Sequence, residues 1–262
     1  MPFYVGVNKF SARFHDGSSS AKAAPSLQHL AELGIRTNGF YWVNPQDAYS
    51  PIYIYVDFNY RRNEAWALVI SNRINTGALN SSSYTADGST SVGSQTYASY
   101  TNITNNINYK GSYGNTNLDF NCFIGAKYWK QLGKNISQFV STSARTLSDT
   151  GNHTKRYRWG FRDMSGTYAF QNVYAIKDET GSGTPGFYAY HAVNGYSLST
   201  YDQDQDAYSQ NCSVNYGYNP WWYGACWDGN YFAGGGYADQ PNWSGAGSDL
   251  HNYGAIYIGG YI

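Results

Sequence analysis

Asp202, Asp204 and Asp206 alternate with Gln203 and Gln205, and no Lys or Arg lies nearby. Three carboxylates packed this closely repel one another unless a cation neutralises them. Calcium suits such a loop, because it takes carboxylate and backbone carbonyl oxygens at relaxed geometry. The run is not an EF-hand, since the Gly at the sixth position and the Glu at the twelfth are missing. A solvated acidic turn is the competing reading. The surrounding segment, Gly195–Phe232, also holds Cys212 and Cys226 and a dense set of aromatics, among them Tyr208, Trp221, Trp222, Tyr223, Trp227 and Tyr231, with Tyr237 just beyond. Flat aromatic faces stack on sugar rings, and tyrosine hydroxyls bond sugar hydroxyls. Several of these rings, Trp221 first, are expected to be core.

Other chemistry is poorly supplied. The five histidines (His15, His29, His153, His191, His251) are scattered, without an H-E-x-x-H, and no G-x-S-x-G or phosphate-binding loop is present. The only glutamates are Glu32, Glu64 and Glu179. A glycosidase needs two carboxylates facing across a cleft, and the crowded aspartates suit a metal better. The expectation is a protein that is not an enzyme.

Elements must position this loop, and composition limits which. Among 262 residues there are 17 Lys+Arg against 17 Asp+Glu, so the net charge is zero. Without excess positive charge there is no electrostatic route to nucleic acid or anionic lipid, and neither is expected as a partner. Charged residues are 13% and aromatics 18%, with 28 Tyr, a balance that favours β-structure over a helical bundle. Pro25-Ser26 opens a helix, with Leu27, Leu30, Ala31 and Leu33 at helical spacing and Gly34 as the stop. Strands are predicted over Gly39–Val43, Ile52–Phe58, Ala65–Ser71, Ile136–Ser141, Tyr157–Phe161, Thr167–Val173 and Gly254–Ile258. Phe123–Leu132 reads as a second helix. Residues 72–118 are a polar tract, either loop or short exposed strands. Residues 1–22 read as an N-terminal docking arm containing a small hairpin around Asn8, and 23–262 as one domain. No stretch is long and apolar enough for a membrane helix.

The string Ser199-Thr200-Tyr201-Asp202-Gln203-Asp204-Gln205-Asp206, then Asn211-Cys212, Pro220-Trp221-Trp222-Tyr223-Gly224-Ala225-Cys226-Trp227 and Gly229-Asn230-Tyr231-Phe232, resembles the C-terminal fibrinogen-related domain of fibrinogens, ficolins and horseshoe-crab lectins. Asn38-Gly39-Phe40-Tyr41-Trp42-Val43-Asn44-Pro45, Val56-Asp57-Phe58 and Trp66-Ala67-Leu68-Val69 fit the opening of that family. The tail, Trp243-Ser244-Gly245 and Tyr253-Gly254-Ala255-Ile256-Tyr257, is similar to intelectin-type relatives. The resemblance spans roughly 35–72 and 187–258. It implies an α+β, β-rich fold with a twisted antiparallel sheet, few short helices and a loop-rich C-terminal calcium and ligand subregion.

Position by position, the resemblance implies calcium held by the carboxylates of Asp204 and Asp206 and the backbone carbonyls of Tyr208 and Gln210, with Asp202 a flanking acid. It implies a Cys212–Cys226 disulfide, leaving Cys122 as an inert core thiol. It places a ligand groove beside the loop, lined by Tyr208, Trp222, Tyr223, Trp227 and Tyr237. Trp227 stands where the family usually carries His, so acetyl-group recognition of the usual kind is not implied.

The biological setting is read from the start of the chain. No secretory signal is visible at Met1–Val7, and a disulfide in such a chain fits a virus particle released into an oxidising medium. Tyr4-Val5-Gly6-Val7-Asn8 and Ala12-Arg13 resemble leaders of bacteriophage tail and appendage proteins. The expectation is a virion surface protein, extracellular after release. Its arm docks other virion proteins, it binds host cell-surface carbohydrate, and it works as a homo-oligomer (a trimer) or a many-copy array. A ligand-free capsid decoration protein and a secreted innate-immunity lectin are the alternatives.

Overall fold

A computed structural model describes residues 15–44, 50–73, 84–86, 90–92, 99–105, 107–111, 118, 120–132, 138–142, 156–163, 171–178, 198–215, 220–221, 223–224, 226 and 253–260. Within these, eleven strands join one sheet and the helices are short. The strands are β1 (Gly39–Val43), β2 (Ile52–Asp57), β3 (Ala65–Arg73), β4 (Tyr84–Ala86), β5 (Thr90–Val92), β6 (Ile107–Gly111), β7 (Phe120–Ile124), β8 (Gln138–Thr142), β9 (Arg156–Asp163), β10 (Gln171–Asp178) and β11 (Tyr253–Gly260). The helices are α1 (Leu27–Glu32), α2 (Tyr100–Asn105), α3 (Ala126–Leu132) and α4 (Cys212–Asn215).

The apolar runs choose the centre. Ala65 to Ile70 is apolar without alternation, and every one of these residues is buried. A strand that is apolar on both faces needs cover on both, and β3 takes the middle of the sheet, between β11 on one side and β2 and β7 on the other. β11 is the same kind of strand, with Ala255, Ile256, Tyr257 and Ile258 all buried. Near its end the backbones come so close that a Cβ on Gly259 would collide with the Ala65 carbonyl. The path runs β10-β9-β8-β11-β3-β7-β6-β4-β5, and its pairings are antiparallel.

Local signals account for the helix at the domain's start. Ser26 Oγ accepts from the His29 N–H at 3.0 Å, closing the N-terminal turn of α1. Gly34 sits at φ +80°, the left-handed conformation that ends a helix. Arg36 Nη1 donates to the Ala31 carbonyl at 2.8 Å and satisfies one of its last acceptors. Leu27, Leu30 and Ala31 are buried, and α1 packs against β3.

Residues 16–22 of the expected arm lie on the domain. The Gly17 carbonyl accepts from Trp42 N–H at 2.8 Å, and Ala24 bridges Val43 in parallel. They shield part of the outer edge of β1, the kind of exposed ladder that invites aggregation. The expected hairpin around Asn8 lies outside the described residues.

Three expectations shift. The helix predicted over Phe123–Leu132 is two elements: β7 ends at Ile124 and α3 begins at Ala126. A short apolar run does not distinguish strand from helix by periodicity. Here pairing with β3 and β6 decides, and Phe120, Phe123 and Ile124 are buried. Of the strand expected at Thr167–Val173, residues 167–170 lie outside the described residues, and the strand that holds the rest continues to Asp178. Inside the polar tract 72–118 are short strands, as one reading held, together with the helix α2, which was not expected.

Candidate functional site

The acidic loop is suspended between two backbone clamps. Ser199 and Trp221 exchange both backbone hydrogen bonds, at 2.9 and 3.1 Å, and the Ala207 N–H reaches the Gly224 carbonyl at 2.9 Å. Asn211 ties the loop's ends together. Its Nδ2 donates to the Thr200 carbonyl at 2.9 Å, while its Oδ1 accepts from the Val214 N–H and so caps α4. Cys212, the first residue of α4, is joined to Cys226 by a disulfide, with Cα atoms 4.9 Å apart. Cys226 holds φ +73°, an unfavourable conformation for a residue with a side chain, kept in place by this cross-linked setting. Cys122 is the free cysteine. It is fully buried, and burial pushes its thiol up to about 12, against a hydrogen bond with Ser71 that acts in the opposite direction.

The three aspartates divide into different jobs. Asp202 has its own partners: its Oδ1 accepts from the Thr200 hydroxyl at 2.7 Å and from the Tyr100 N–H at 2.8 Å. It thus takes the first N–H of α2, while Ser99 is the helix's N-cap, its Oγ accepting from the Asn102 N–H at 3.3 Å. Asp206 Oδ1 accepts from the Tyr208 N–H at 2.9 Å, and its Oδ2 from the Cys212 N–H at 2.9 Å. Asp204 Oδ1 accepts from the Asp206 N–H at 3.3 Å. Partial burial raises the Asp206 carboxyl above the ordinary carboxylate range. The two backbone N–H bonds oppose that rise, and the charge of Asp204 adds to it.

This is an electrostatic conflict with a definite shape. Two neighbouring carboxylates disfavour being ionised together, and the loop carries no cationic side chain to relieve them. Two carboxylates with backbone carbonyls next in sequence form an all-oxygen donor set. It fits calcium and not zinc, which prefers nitrogen and sulfur. Among the described residues no three His, Cys, Asp or Glu side chains converge. A calcium site here therefore depends on the carbonyls of Tyr208 and Gln210 beside Asp204 and Asp206.

The aromatic wall separates into core and surface. Tyr208 is 48% exposed on the loop, whereas Trp221 and Tyr223 are each 1% exposed. Tyr223 was expected to line the groove. It belongs instead to the buried core. Trp222, Trp227, Tyr231 and Tyr237 lie outside the described residues.

The model of the C-terminal globular domain of fibrinogen β and γ chains matches residues 26–248. The chain belongs to this family. Domains of the family are generally binding domains without catalysis. Solved structures carry the same fold at low identity. The fibrinogen-like globe domain of human ANGPTL6 superposes with a TM-score of 0.58 at 14% identity, covering 89% of this chain and 93% of that one. The globe domain of human ANGPTL2 gives 0.57 at 16% identity, covering 88% and 96%. Lamprey fibrin D-dimer, solved with the peptide Gly-His-Arg-Pro-amide, gives 0.57 at 14%, covering 88% and 72%. The family match includes the disulfide-clamped acidic loop that sequence reasoning had singled out. What that reasoning missed is the link from Asp202 to α2, for which a polar tract offers no periodic signal.

Proposed function

We propose that this fibrinogen-like domain is a non-enzymatic surface lectin in which calcium, held by Asp204, Asp206 and the carbonyls of Tyr208 and Gln210, orders a loop that presents Tyr208 to glycans. The observation that carries the reading is the placement of Tyr208. Its ring stands half exposed directly after Asp206, whose carboxylate holds the Tyr208 N–H. Calcium acts indirectly, by relieving the Asp204–Asp206 conflict and fixing the turn, and sugar stacks on the ring. Trp222, Trp227 and Tyr237 extend this surface in sequence. Tyr223 belongs to the core.

The setting we favour is the surface of a bacteriophage virion, extracellular after release, with host surface carbohydrate as the partner. A shallow site offering a few stacking and hydrogen-bond contacts is weak, near millimolar. Attachment then needs several copies, which a trimeric fibre or a shell array supplies through effective concentration. The test is a glycan array probed with the protein displayed multivalently. Binding of a glycan subset by the parent, lost in Tyr208→Ala and Trp227→Ala variants that melt normally, supports the reading. If no glycan is bound by the parent, the adhesin reading gives way to a decoration protein without ligand.

A further inference from the structure

Charge is strongly segregated along this neutral chain. Up to Lys177 there are seventeen basic residues against nine acidic ones, and beyond it eight acidic residues and no Lys or Arg. The basic excess has a local focus in the wing formed by β8, β9 and β10. β9 reads Arg-Tyr-Arg-Trp-Gly-Phe-Arg-Asp, with Arg156, Arg158 and Arg162 at alternate positions and Tyr157, Trp159 and Phe161 between them. Alternate positions of a strand share a face. The sequence pattern places the three arginines on one face of the strand and the three aromatics on the other.

Register extends that face across the wing. Lys177 of β10 pairs with Arg158, and Tyr174 with Gly160. Asn172 falls opposite Arg162, between the Gln171–Asp163 and Val173–Phe161 pairs. On the other side, Val140 pairs with Arg158, Gln138 with Gly160 and Thr142 with Arg156. The face therefore has four cationic positions and no acidic one. Asp163 and Asp178 belong to the opposite face, in register with Gln171 and Tyr157. Two like charges placed directly opposite each other destabilise a sheet, and an anionic partner removes that penalty.

We infer that the β8–β10 face is a second binding surface, for a polyanionic glycan carrying sulfate, phosphate or carboxylate groups. It is distinct from the acidic loop and independent of calcium. The strip is short: from Arg156 to Arg162 it spans about 20 Å along the strand and roughly 10 Å across three strands. Gln138, Thr142, Asn172 and Tyr174 add hydrogen-bonding and stacking groups among the charges, a mixture that suits a sugar polymer. Double-stranded DNA carries a line of charge much longer than this strip, and the molecule has no net positive charge to hold it.

The test is binding of the full chain to dextran sulfate at low and physiological salt. Neutral dextran, polygalacturonate and double-stranded DNA serve as parallel probes, and size is followed by light scattering. We expect dextran sulfate to bind, more weakly as salt screens the strip, and equally with calcium or chelator. Replacing all three arginines by Ser should weaken binding by about tenfold, while the charge-conserving triple Lys variant should retain it. If the triple Ser variant fails to fold, Arg158→Glu alone serves as the charge-reversal variant. No binding by the parent, equal binding by the Ser variant, DNA binding as tight as dextran sulfate, or a salt-sensitive oligomer in place of glycan binding would each overturn the inference. Because chelator is an arm of the experiment, its outcome is separable from that of the calcium-loop lectin.

Discussion

The carboxylate of Asp202 accepts a hydrogen bond from the backbone N–H of Tyr100, 102 residues earlier in the chain. One residue of the acidic loop thus fixes the start of α2, a helix of Tyr-Thr-Asn-Ile-Thr-Asn with little intrinsic tendency to form. Removing this acceptor with Asp202→Ala should lower stability by about 1 kcal/mol in urea unfolding. The calcium-induced rise in melting temperature should survive. A variant that loses its calcium response would place Asp202 among the ligands instead.

Asp204→Ala has the opposite signature. Calcium binding to the folded state alone adds stability by mass action, about 1.4 kcal/mol at ten times the dissociation constant. That constant is expected on the order of 10⁻⁴–10⁻³ M, as for extracellular modules. Scanning calorimetry with calcium and with chelator should give different melting temperatures for the parent and one common value for the variant. Identical parent curves would remove the metal.

The raised carboxyl of Asp206 fixes a pH dependence. A carboxyl whose folded pKa exceeds its unfolded value favours the native state below the unfolded pKa. That contribution is lost as pH rises through the folded pKa. Without calcium, this group's contribution should therefore fall as pH climbs from about 4 through the raised value. Saturating calcium should reverse the loss, and calcium affinity should weaken as Asp206 protonates. Chemical denaturation across pH, with and without calcium, checks the sign, and Asp206→Asn should flatten the difference.

The helix at Leu27–Glu32, most strand positions and the acidic loop were legible because each has a local cause: a Ser cap, a Gly stop, an apolar run, a repeated carboxylate. Other features have causes elsewhere in the chain. Phe120–Ile124 is a strand because β3 and β6 flank it. α2 starts where Ser99 caps it and Asp202, far along the chain, accepts its first N–H. Tyr208 and Tyr223 occupy one aromatic-rich segment, and nothing in its composition tells which ring goes inward. The folded structure settles that, with Tyr223 buried in the core and Tyr208 half exposed on the acidic turn.

That division separates two tyrosine variants. Tyr223→Ala removes a buried ring and should destabilise by about 3–5 kcal/mol. Tyr208→Ala should change stability by less than about 0.5 kcal/mol and abolish glycan binding. Urea midpoints of the two variants, side by side, check the assignment.

The disulfide and the free thiol predict distinct reactivities. Reducing Cys212–Cys226 should lower stability by about 3 kcal/mol, the loop-closure value for a span of this length. Cys122, buried and held as the thiol, should resist alkylation until the protein unfolds. Mass spectrometry of a non-reduced digest, after timed alkylation, reads both. Rapid labelling of Cys122 in the native protein would contradict its burial.

The central claim is that calcium at Asp204 and Asp206 holds Tyr208 in place for sugar. Its most direct test is a single cycled binding experiment, with multivalent protein on a surface and an array-selected glycan in flow, first in calcium, then in chelator, then in calcium again. The account predicts binding that disappears with chelator and returns with calcium in the parent, and no binding at any stage in Tyr208→Ala. Equal glycan binding in all three stages would contradict it.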